Sequence, residues 1–237
     1  MAKDGIIQIA GVHDAEEAKL LAESGVDWIG LPLRLDHHRE DLGEAEARAM
    51  IRDLPNTMLP VLITYLDDLD PILELGRYLG TRAIQLHGPA APALGEALKR
   101  HEPNWVLIRS LVIRGGDIAP LEAEARAWAA FADYFLTDTF DPATGASGAT
   151  GKTHDWELSR RLAEIVARPL ILAGGLRPDN VGEAIRRVRP AGVDAHTGVE
   201  NFQGRKDPAL LRRFVAEARA AFGENAWPTV PRSPGKK

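Results

Sequence analysis

The feature that most constrains this fold is a regular alternation of short β-rich apolar segments with longer amphipathic segments. The apolar segments predict eight strands, at 6–10, 28–33, 59–64, 83–86, 105–111, 134–137, 170–173 and 192–195. The amphipathic segments predict helices at 15–24, 44–53, 70–79, 91–100, 121–130, 156–167, 179–188 and 208–221. Such alternation is typical of parallel βαβ units, and eight repeats favour a closed (β/α)8 TIM barrel. A doubly wound open sheet is the alternative.

Composition narrows the class of protein further. There are 29 Lys and Arg against 34 Asp and Glu, a net charge of −5, which argues against nucleic acid as a partner. The chain has no cysteine, so disulfides, thiolate ligands and a cysteine nucleophile or base are excluded. Neither a signal peptide nor a membrane span is expected, and cytoplasm is the predicted location. We expect one barrel domain over 1–222 and a flexible tail over 223–237, with docking of Trp227 as the alternative.

Glycine-bearing turns follow the last three predicted strands. Chemistry in such barrels sits at the carboxyl ends of the strands, and the last two loops commonly hold phosphate. Glycine lets backbone N–H groups approach an anion closely, and the helix start marked by Asp179-Asn180 also favours anions. The sequence therefore predicts a phosphate site, with contacts at Gly148, Gly174, Gly175, Thr197 and Gly198.

Four sequence motifs resemble those of the phosphoribosylanthranilate isomerase family. The run 174–200, GGLRPDNVGEAIRRVRPAGVDAHTGVE, is similar to the carboxyl third of that family. QLHG at 85–88 resembles its fourth-strand motif, GATGKTHDW at 148–156 its sixth loop, and IQIAG at 7–11 its first strand. The resemblance covers 6–215. It implies an Amadori rearrangement of an aminoaldose phosphate into an aminoketose phosphate, in tryptophan biosynthesis and without a cofactor.

The resemblance also implies roles for individual residues. The family's sixth-strand general acid, which protonates the ring oxygen, maps onto Asp138. Its arginine after the second strand, which holds the anthranilate carboxylate, maps onto Arg39, with Arg34 competing for the role. Three further positions are predicted substrate contacts: Gln85, His87 and Arg109, the last standing where a lysine is common in the family. For Arg109 a salt bridge inside the barrel, with Asp138 or Asp194, is an equal alternative.

The first strand departs from the family pattern. Ala10 stands where the family has its general base, a cysteine that takes the C2′ proton, and a methyl group cannot accept a proton. Gln8 likewise replaces a lysine on the same inward face. Six of the seven histidines instead fall at predicted strand ends or catalytic-face loops: His13, His37, His38, His87, His154 and His196.

Three interpretations of these histidines stay open. His13 or His196 supplies the base, since imidazole transfers protons near neutral pH. Alternatively, His87, His196 and Asp138 hold a divalent metal, or the histidines are ordinary polar loop residues.

The main hypothesis is a sugar-phosphate isomerase, as a monomer or homodimer, with a small phosphorylated substrate and no nucleic-acid or membrane partner. The alternatives are a diverged paralogue with histidine- or metal-assisted isomerase, epimerase or aldolase chemistry, and a non-catalytic binder of phosphorylated ligands.

Overall fold

The computed structural model of the chain describes residues 5–35, 41–140 and 153–224. Within these residues eight strands and eight α-helices alternate along the chain. The strands are β1 Ile6–Ala10, β2 Trp28–Pro32, β3 Leu59–Thr64, β4 Ala83–Leu86, β5 Val106–Ile113, β6 Tyr134–Thr139, β7 Leu170–Leu172 and β8 Gly192–Ala195. The helices are α1 Ala15–Glu23, α2 Glu44–Asp53, α3 Leu69–Leu79, α4 Pro92–His101, α5 Ala119–Trp128, α6 Trp156–Ile165, α7 Val181–Val188 and α8 Pro208–Gly223.

The strands form one closed parallel barrel in chain order, and β1 pairs with β8. This confirms the predicted (β/α)8 barrel and excludes the open sheet. The element ends differ from the predicted ones by up to two residues. A short 3-10 helix, Thr197–Val199, follows β8 and was not predicted.

Two hydrophobic clusters sit on opposite faces of the barrel wall. Alternate strand residues such as Ala10, Ile108 and Leu136 fill the barrel interior. Their neighbours in sequence, such as Ile9 and Phe135, pack outward against the helices. This two-residue period fixes which side chain of each strand can reach the mouth of the barrel.

The sequence places cap-type residues, Asp14 and Asp179-Asn180, ahead of the first and seventh predicted helices, and the two predicted caps have different outcomes. The side chain of Asp14 accepts a hydrogen bond from the Glu17 N–H at the start of α1, as expected. Asn180 precedes α7 but makes no capping hydrogen bond, so this prediction is wrong. The helix that it opens is also short, with eight residues.

The carboxyl-terminal helix α8 closes the described part of the chain. Apart from Gly223 and Glu224, the predicted flexible tail lies outside the described residues, as does Trp227. Among the helices that the structure describes, none has the length and apolar character needed to cross a membrane.

Candidate active site

A pocket opens at the carboxyl ends of β6, β7 and β8, where the barrel fold places its chemistry. Its empty volume, including the open mouth, is about 300 Å³. The side chains and turns that line it include Asp138, Gly174, Gly175, Asp194, His196, Thr197 and Gly198. Four of the five predicted phosphate contacts therefore lie in one pocket with the predicted general acid; the fifth, Gly148, lies outside the described residues.

The glycines of this pocket are tightly enclosed. Gly174 has φ +96°, and a methyl group on it would lie 2.1 Å from Thr139 Oγ1. A methyl group on Gly198 would lie 1.8 Å from the Leu176 carbonyl oxygen. Because that oxygen belongs to the backbone, it cannot move aside as a side chain would. The turns after β7 and β8 thus pack together only with glycine at 198, and glycine at 174 suits both its positive φ and its contact with Thr139.

Asn180 braces the turn after β7 instead of capping α7. Its Oδ1 accepts a hydrogen bond of 2.8 Å from the Arg177 N–H. Its Nδ2 donates to the Gly175 carbonyl oxygen at 3.1 Å. The same amide therefore fixes both ends of the turn, which keeps the backbone of Gly175 at the pocket.

Asp138 leaves β6 on the inward face and is buried. Burial raises the pKa of its carboxyl above the ordinary 3.8, against the opposing effects of His87 and the Thr139 N–H. Thr139 N–H donates to Oδ1 at 2.7 Å, and His87 Nε2 lies 3.9 Å from Oδ2. A carboxyl in this setting keeps its proton at a higher pH than an exposed aspartate.

A second carboxyl, Asp194, lies in the same pocket and was not predicted as a site residue. Burial and the charge of Asp138 raise its pKa to about 7, although a hydrogen bond from Gln8 opposes this. The two-residue period along β8 is the signal that could have found it, because Asp194 and His196 point to the same side. Two buried carboxyls that each disfavour the other's charge are a common arrangement at acid–base sites.

Comparison with known proteins assigns the chain to a family. The family model of N-(5′-phosphoribosyl)anthranilate (PRA) isomerase matches residues 7–217. The chain belongs to the phosphoribosylanthranilate isomerase family. This is an isomerase family of tryptophan biosynthesis, and its members work without a cofactor.

Relatives and solved structures agree with this assignment. An enzyme of Methanosarcina mazei named N-(5′-phosphoribosyl)anthranilate isomerase 2 is 36% identical over 217 residues, covering 91% of this chain and 95% of the relative. A Haloferax volcanii isomerase is 36% identical, covering 92% and 94%. The crystal structure of the Thermotoga maritima isomerase superposes with a TM-score of 0.78 at 29% identity, covering 91% of this chain and 99% of that chain.

Ala10 occupies the first-strand position that the resemblance assigns to the general base, and a histidine lies beside it. Ala10 is inward-facing and buried at the end of β1. In the β1–β8 pairing Gln8 aligns with Asp194 and Ile9 with Ala195, so His196 is next in line to Ala10. The His196 ring leans over Gly11, where a methyl group would lie 2.0 Å from Nε2.

The other predicted base, His13, lies outside the lining of this pocket. Its Nδ1 lies 3.3 Å from Glu17 Oε2, and its Nε2 lies 3.6 Å from Asp41 Oδ1. Asp41 Oδ2 in turn lies 3.9 Å from His196 Nε2. The two histidines therefore share one carboxylate, but only His196 borders the pocket that contains Asp138.

The prediction that Arg109 faces the barrel mouth is wrong, and so is the alternative of a salt bridge within the barrel. Ile108 and Ser110 take the inward positions on β5, so Arg109 points out between the helices. Its Nη2 lies 2.6 Å from Glu124 Oε1 on α5, and its Nη1 donates to the Gly88 carbonyl oxygen at 2.6 Å. Arg109 thus holds the loop after β4 from the outer side of the barrel wall, where the helices pack.

Below the pocket, the fourth-strand motif joins a chain of hydrogen bonds inside the barrel. Ser110 Oγ lies 3.0 Å from His87 Nδ1 and accepts a 3.4 Å hydrogen bond from Gln85 Nε2. Gln8 Nε2 donates to Gln85 Oε1 at 2.9 Å. Gln85 does not line the pocket. It is linked to Asp138 only indirectly, through its hydrogen bond to Ser110 and the contacts of Ser110 with His87 and of His87 with Asp138.

Two remaining histidine interpretations can be judged from the described residues. His154 lies 2.9 Å from Thr139 Oγ1 and 2.5 Å from Ser159 Oγ, and burial lowers its pKa to about 4. It is a half-buried side chain that favours the neutral form and links α6 to β6. Within 5–35, 41–140 and 153–224 no cluster of metal-ligating side chains could hold a metal, so the proposed metal set of His87, His196 and Asp138 is not supported.

The loop after β2 holds the rest of the predicted site. Arg39, His37 and His38 lie outside the described residues. Arg34, the competing arginine, lies within hydrogen-bonding distance of Glu44, with Nε 2.8 Å from Oε1.

Three charged residues near His196 were not predicted from the sequence: Asp41, Glu200 and Lys206. They come from separate segments, and no short motif marks them.

Proposed function

We propose that this chain catalyses the Amadori rearrangement of N-(5′-phosphoribosyl)anthranilate, an aldose-to-ketose isomerisation. The observation that carries the proposal is the buried carboxyl of Asp138, which shares one pocket with the Gly174-Gly175 and Thr197-Gly198 turns. A phosphate cradle beside a carboxyl of raised pKa suits a phosphorylated sugar whose ring oxygen must be protonated.

Asp138 acts as the general acid. An exposed aspartate is ionised at neutral pH, but burial favours the protonated form of this one. After the proton has moved to the ring oxygen, the Thr139 N–H and the nearby His87 ring stabilise the resulting carboxylate. We assign His87 to positioning Asp138, and Gln85 to holding the Ser110 hydroxyl against His87.

The phosphate binds to backbone N–H groups of the turns after β7 and β8. Close packing of Gly174 and Gly198 supports this role, because it leaves no side chain between the backbone and the pocket. Gly175 and Thr197 complete the cradle. Two contacts rest on the sequence alone: Gly148 to phosphate and Arg39 to the anthranilate carboxylate.

The proposal also covers the partner, the location and the oligomeric state of the enzyme. Its partner is a small phosphorylated substrate, and the family's biosynthetic role supports a cytoplasmic location. The Thermotoga maritima isomerase is described as dimeric. For this chain, sedimentation would decide between the predicted monomer and homodimer.

The test is turnover of N-(5′-phosphoribosyl)anthranilate by the purified full chain. We expect measurable activity, and rescue of a tryptophan auxotroph that lacks the isomerase. Asp138→Asn should lower kcat by roughly 10²–10⁴-fold, because it removes the acid but keeps the shape.

Binding of the reduced product 1-(o-carboxyphenylamino)-1-deoxyribulose 5-phosphate, the ligand in one related crystal structure, controls for folding and should change little in this variant. Equal turnover in the wild-type chain and Asp138→Asn would contradict the proposal and favour a non-catalytic binder.

A further inference from the structure

The pairing of β1 with β8 places the His196 imidazole near Ala10, the position that the family resemblance assigns to the general base. The parallel register runs Gln8 to Asp194 and Ile9 to Ala195, and its continuation sets Ala10 against His196. Because successive residues alternate between faces, His196 and Ala10 share the inward face with Asp194 and Gln8. A side chain on β8 can therefore serve the same part of the pocket as one on β1.

The His196 ring is held over the end of β1. Gly11, at φ +72°, has no side chain, and a methyl group there would overlap the ring, with Nε2 at 2.0 Å. His196 lines the same pocket as Asp138 and the glycine turns after β7 and β8. A carboxyl from β6 and a histidine that follows β8 thus belong to one pocket.

Charged groups surround the ring from the loop between β8 and α8 and from the loop before α2. Its Nε2 lies 3.3 Å from Glu200 Oε1, and Lys206 Nζ donates to the same carboxylate oxygen at 2.6 Å. The Lys206 side chain is fully buried, and its Nζ also lies 3.3 Å from the His196 carbonyl oxygen. Asp41 approaches from the loop before α2. The titratable and charged groups around the ring are Asp41, Glu200, Lys206, Asp138, Asp194 and, through Asp41, His13.

We propose that His196 is the general base of the isomerisation, in place of the family's first-strand cysteine, and that Glu200, held by Lys206, positions its ring. The assignment rests on the proposed function. The carboxylates of Glu200 and Asp41 stabilise the imidazolium that forms when the ring takes a proton, as a carboxylate does for the histidine of a catalytic triad.

The proton transfers balance over one cycle. Asp138 gives its proton to the ring oxygen, the bond from C1′ to that oxygen breaks, and C1′ forms an iminium with the anthranilate nitrogen. His196 takes the C2′ proton, and the released electron pair forms the C1′–C2′ double bond while the iminium π electrons return to nitrogen. The imidazolium then protonates C1′, the enol hydroxyl proton passes to the Asp138 carboxylate, and C2′ becomes a ketone. Both residues are restored.

The experiment compares the wild-type chain with His196→Ala and with the double variant Ala10→Cys/His196→Ala. His196→Ala should lower kcat about 10²–10⁴-fold, the usual contribution of a general base. The double variant restores the family's thiol and should regain at least about tenfold. Iodoacetamide should inactivate only the double variant, because the natural chain has no cysteine. His101→Ala, an exposed histidine on α4, is the matched control and should leave kcat unchanged.

The pH profile separates catalysis from structural support. The acid limb of kcat/KM should move upward in the double variant, since a free thiol loses its proton at a higher pH than a free imidazole. Glu200→Gln should lower kcat several-fold with little change in KM, as expected of a positioning residue. Tm and binding of the reduced product report folding, and His196→Gln serves if the alanine variant does not fold.

Three outcomes would contradict the assignment of His196 as the base, and they differ in what they imply for the proposed function. Wild-type turnover that survives His196→Ala within threefold overturns the base assignment and leaves the proposed function standing. Loss of turnover in His13→Ala together with retention in His196→Ala overturns it in favour of His13. Absence of turnover in the wild-type chain defeats both proposals at once.

Discussion

The two sides of the pocket are built from different materials. The proposed phosphate side consists of backbone at Gly174, Gly175 and Gly198, where neighbouring atoms leave no room for a side chain at Gly174 or Gly198. The proposed proton-transfer side consists of ionisable side chains, Asp138 and His196, set among buried polar neighbours. A backbone cradle requires glycine at fixed positions. A side-chain base can come from any strand whose end reaches the same space.

This difference explains how one chain can keep the family's glycine turns while Ala10 replaces the first-strand cysteine. Replacing a glycine of the cradle would force two backbone turns apart. Replacing the first-strand cysteine by Ala10 leaves a well-packed barrel, since Ala10 is buried among apolar side chains. The neighbouring strand β8 then offers the nearest alternative position, at His196.

The first prediction breaks the proposed phosphate side alone. Gly198→Ala places a methyl group 1.8 Å from the Leu176 carbonyl oxygen, so the turns after β7 and β8 must separate. We expect affinity for the reduced product to fall at least about 30-fold, or about 2 kcal/mol, by calorimetry. Gly115→Ala is the control, because a methyl group there meets no atom within 4 Å in the loop after β5. Equal affinities in the two variants would remove the backbone cradle from the comparison.

A second prediction concerns Arg109, which stands behind the proton-transfer side. Arg109→Gln leaves Glu124 and the Gly88 carbonyl oxygen without their partner, so the free energy of unfolding should fall by about 2–3 kcal/mol in urea. KM should stay within about twofold, since the guanidinium points away from the pocket. Arg100→Gln, on an exposed pair with Glu96, should change stability by less than about 0.5 kcal/mol. A large rise in KM for Arg109→Gln would return this residue to the binding site.

The smallest expected effect lies where the two sides meet. His154 contacts Thr139, which is next to Asp138 and packs against Gly174. Burial lowers its pKa from 6.5 to about 4, so the unfolded chain takes up a proton in this window before the folded chain does. Stability should therefore be present above pH 6.5 and fall by on the order of 1–3 kcal/mol as the pH drops towards 4.

His154→Gln should remove that part of the acid sensitivity, measured by urea unfolding at pH 7 and pH 4.5. His101→Gln, on the exposed surface of α4, is the comparison variant. Parallel pH dependence of stability in the wild-type chain and His154→Gln would argue against a buried neutral imidazole.

Local sequence patterns predicted more of the site than of its support. Glycine placement after the last predicted strands was enough for the turns at Gly174 and Gly198, and the family resemblance identified Asp138. The same period could have corrected Arg109, because Ile108 and Ser110 already occupy the inward positions on β5. Asn180 was predicted as a cap but binds the preceding turn, since both uses need the same amide at nearly the same position.

The sequence by itself determined the barrel and the end of the barrel where the pocket lies, and the family resemblance identified the acid within it. The barrel and the position of the pocket follow from periods of two and 3.6 residues and from glycine, which act over a few residues of chain. Only the tertiary structure decided which of the two candidate bases, His13 or His196, shares the pocket of Asp138. Closure of the barrel joins β1 to β8 and so brings the His196 ring over Gly11, next to Ala10, although these are the first and last strands of the chain. This contact depends on the register of the strands, which no local pattern specifies.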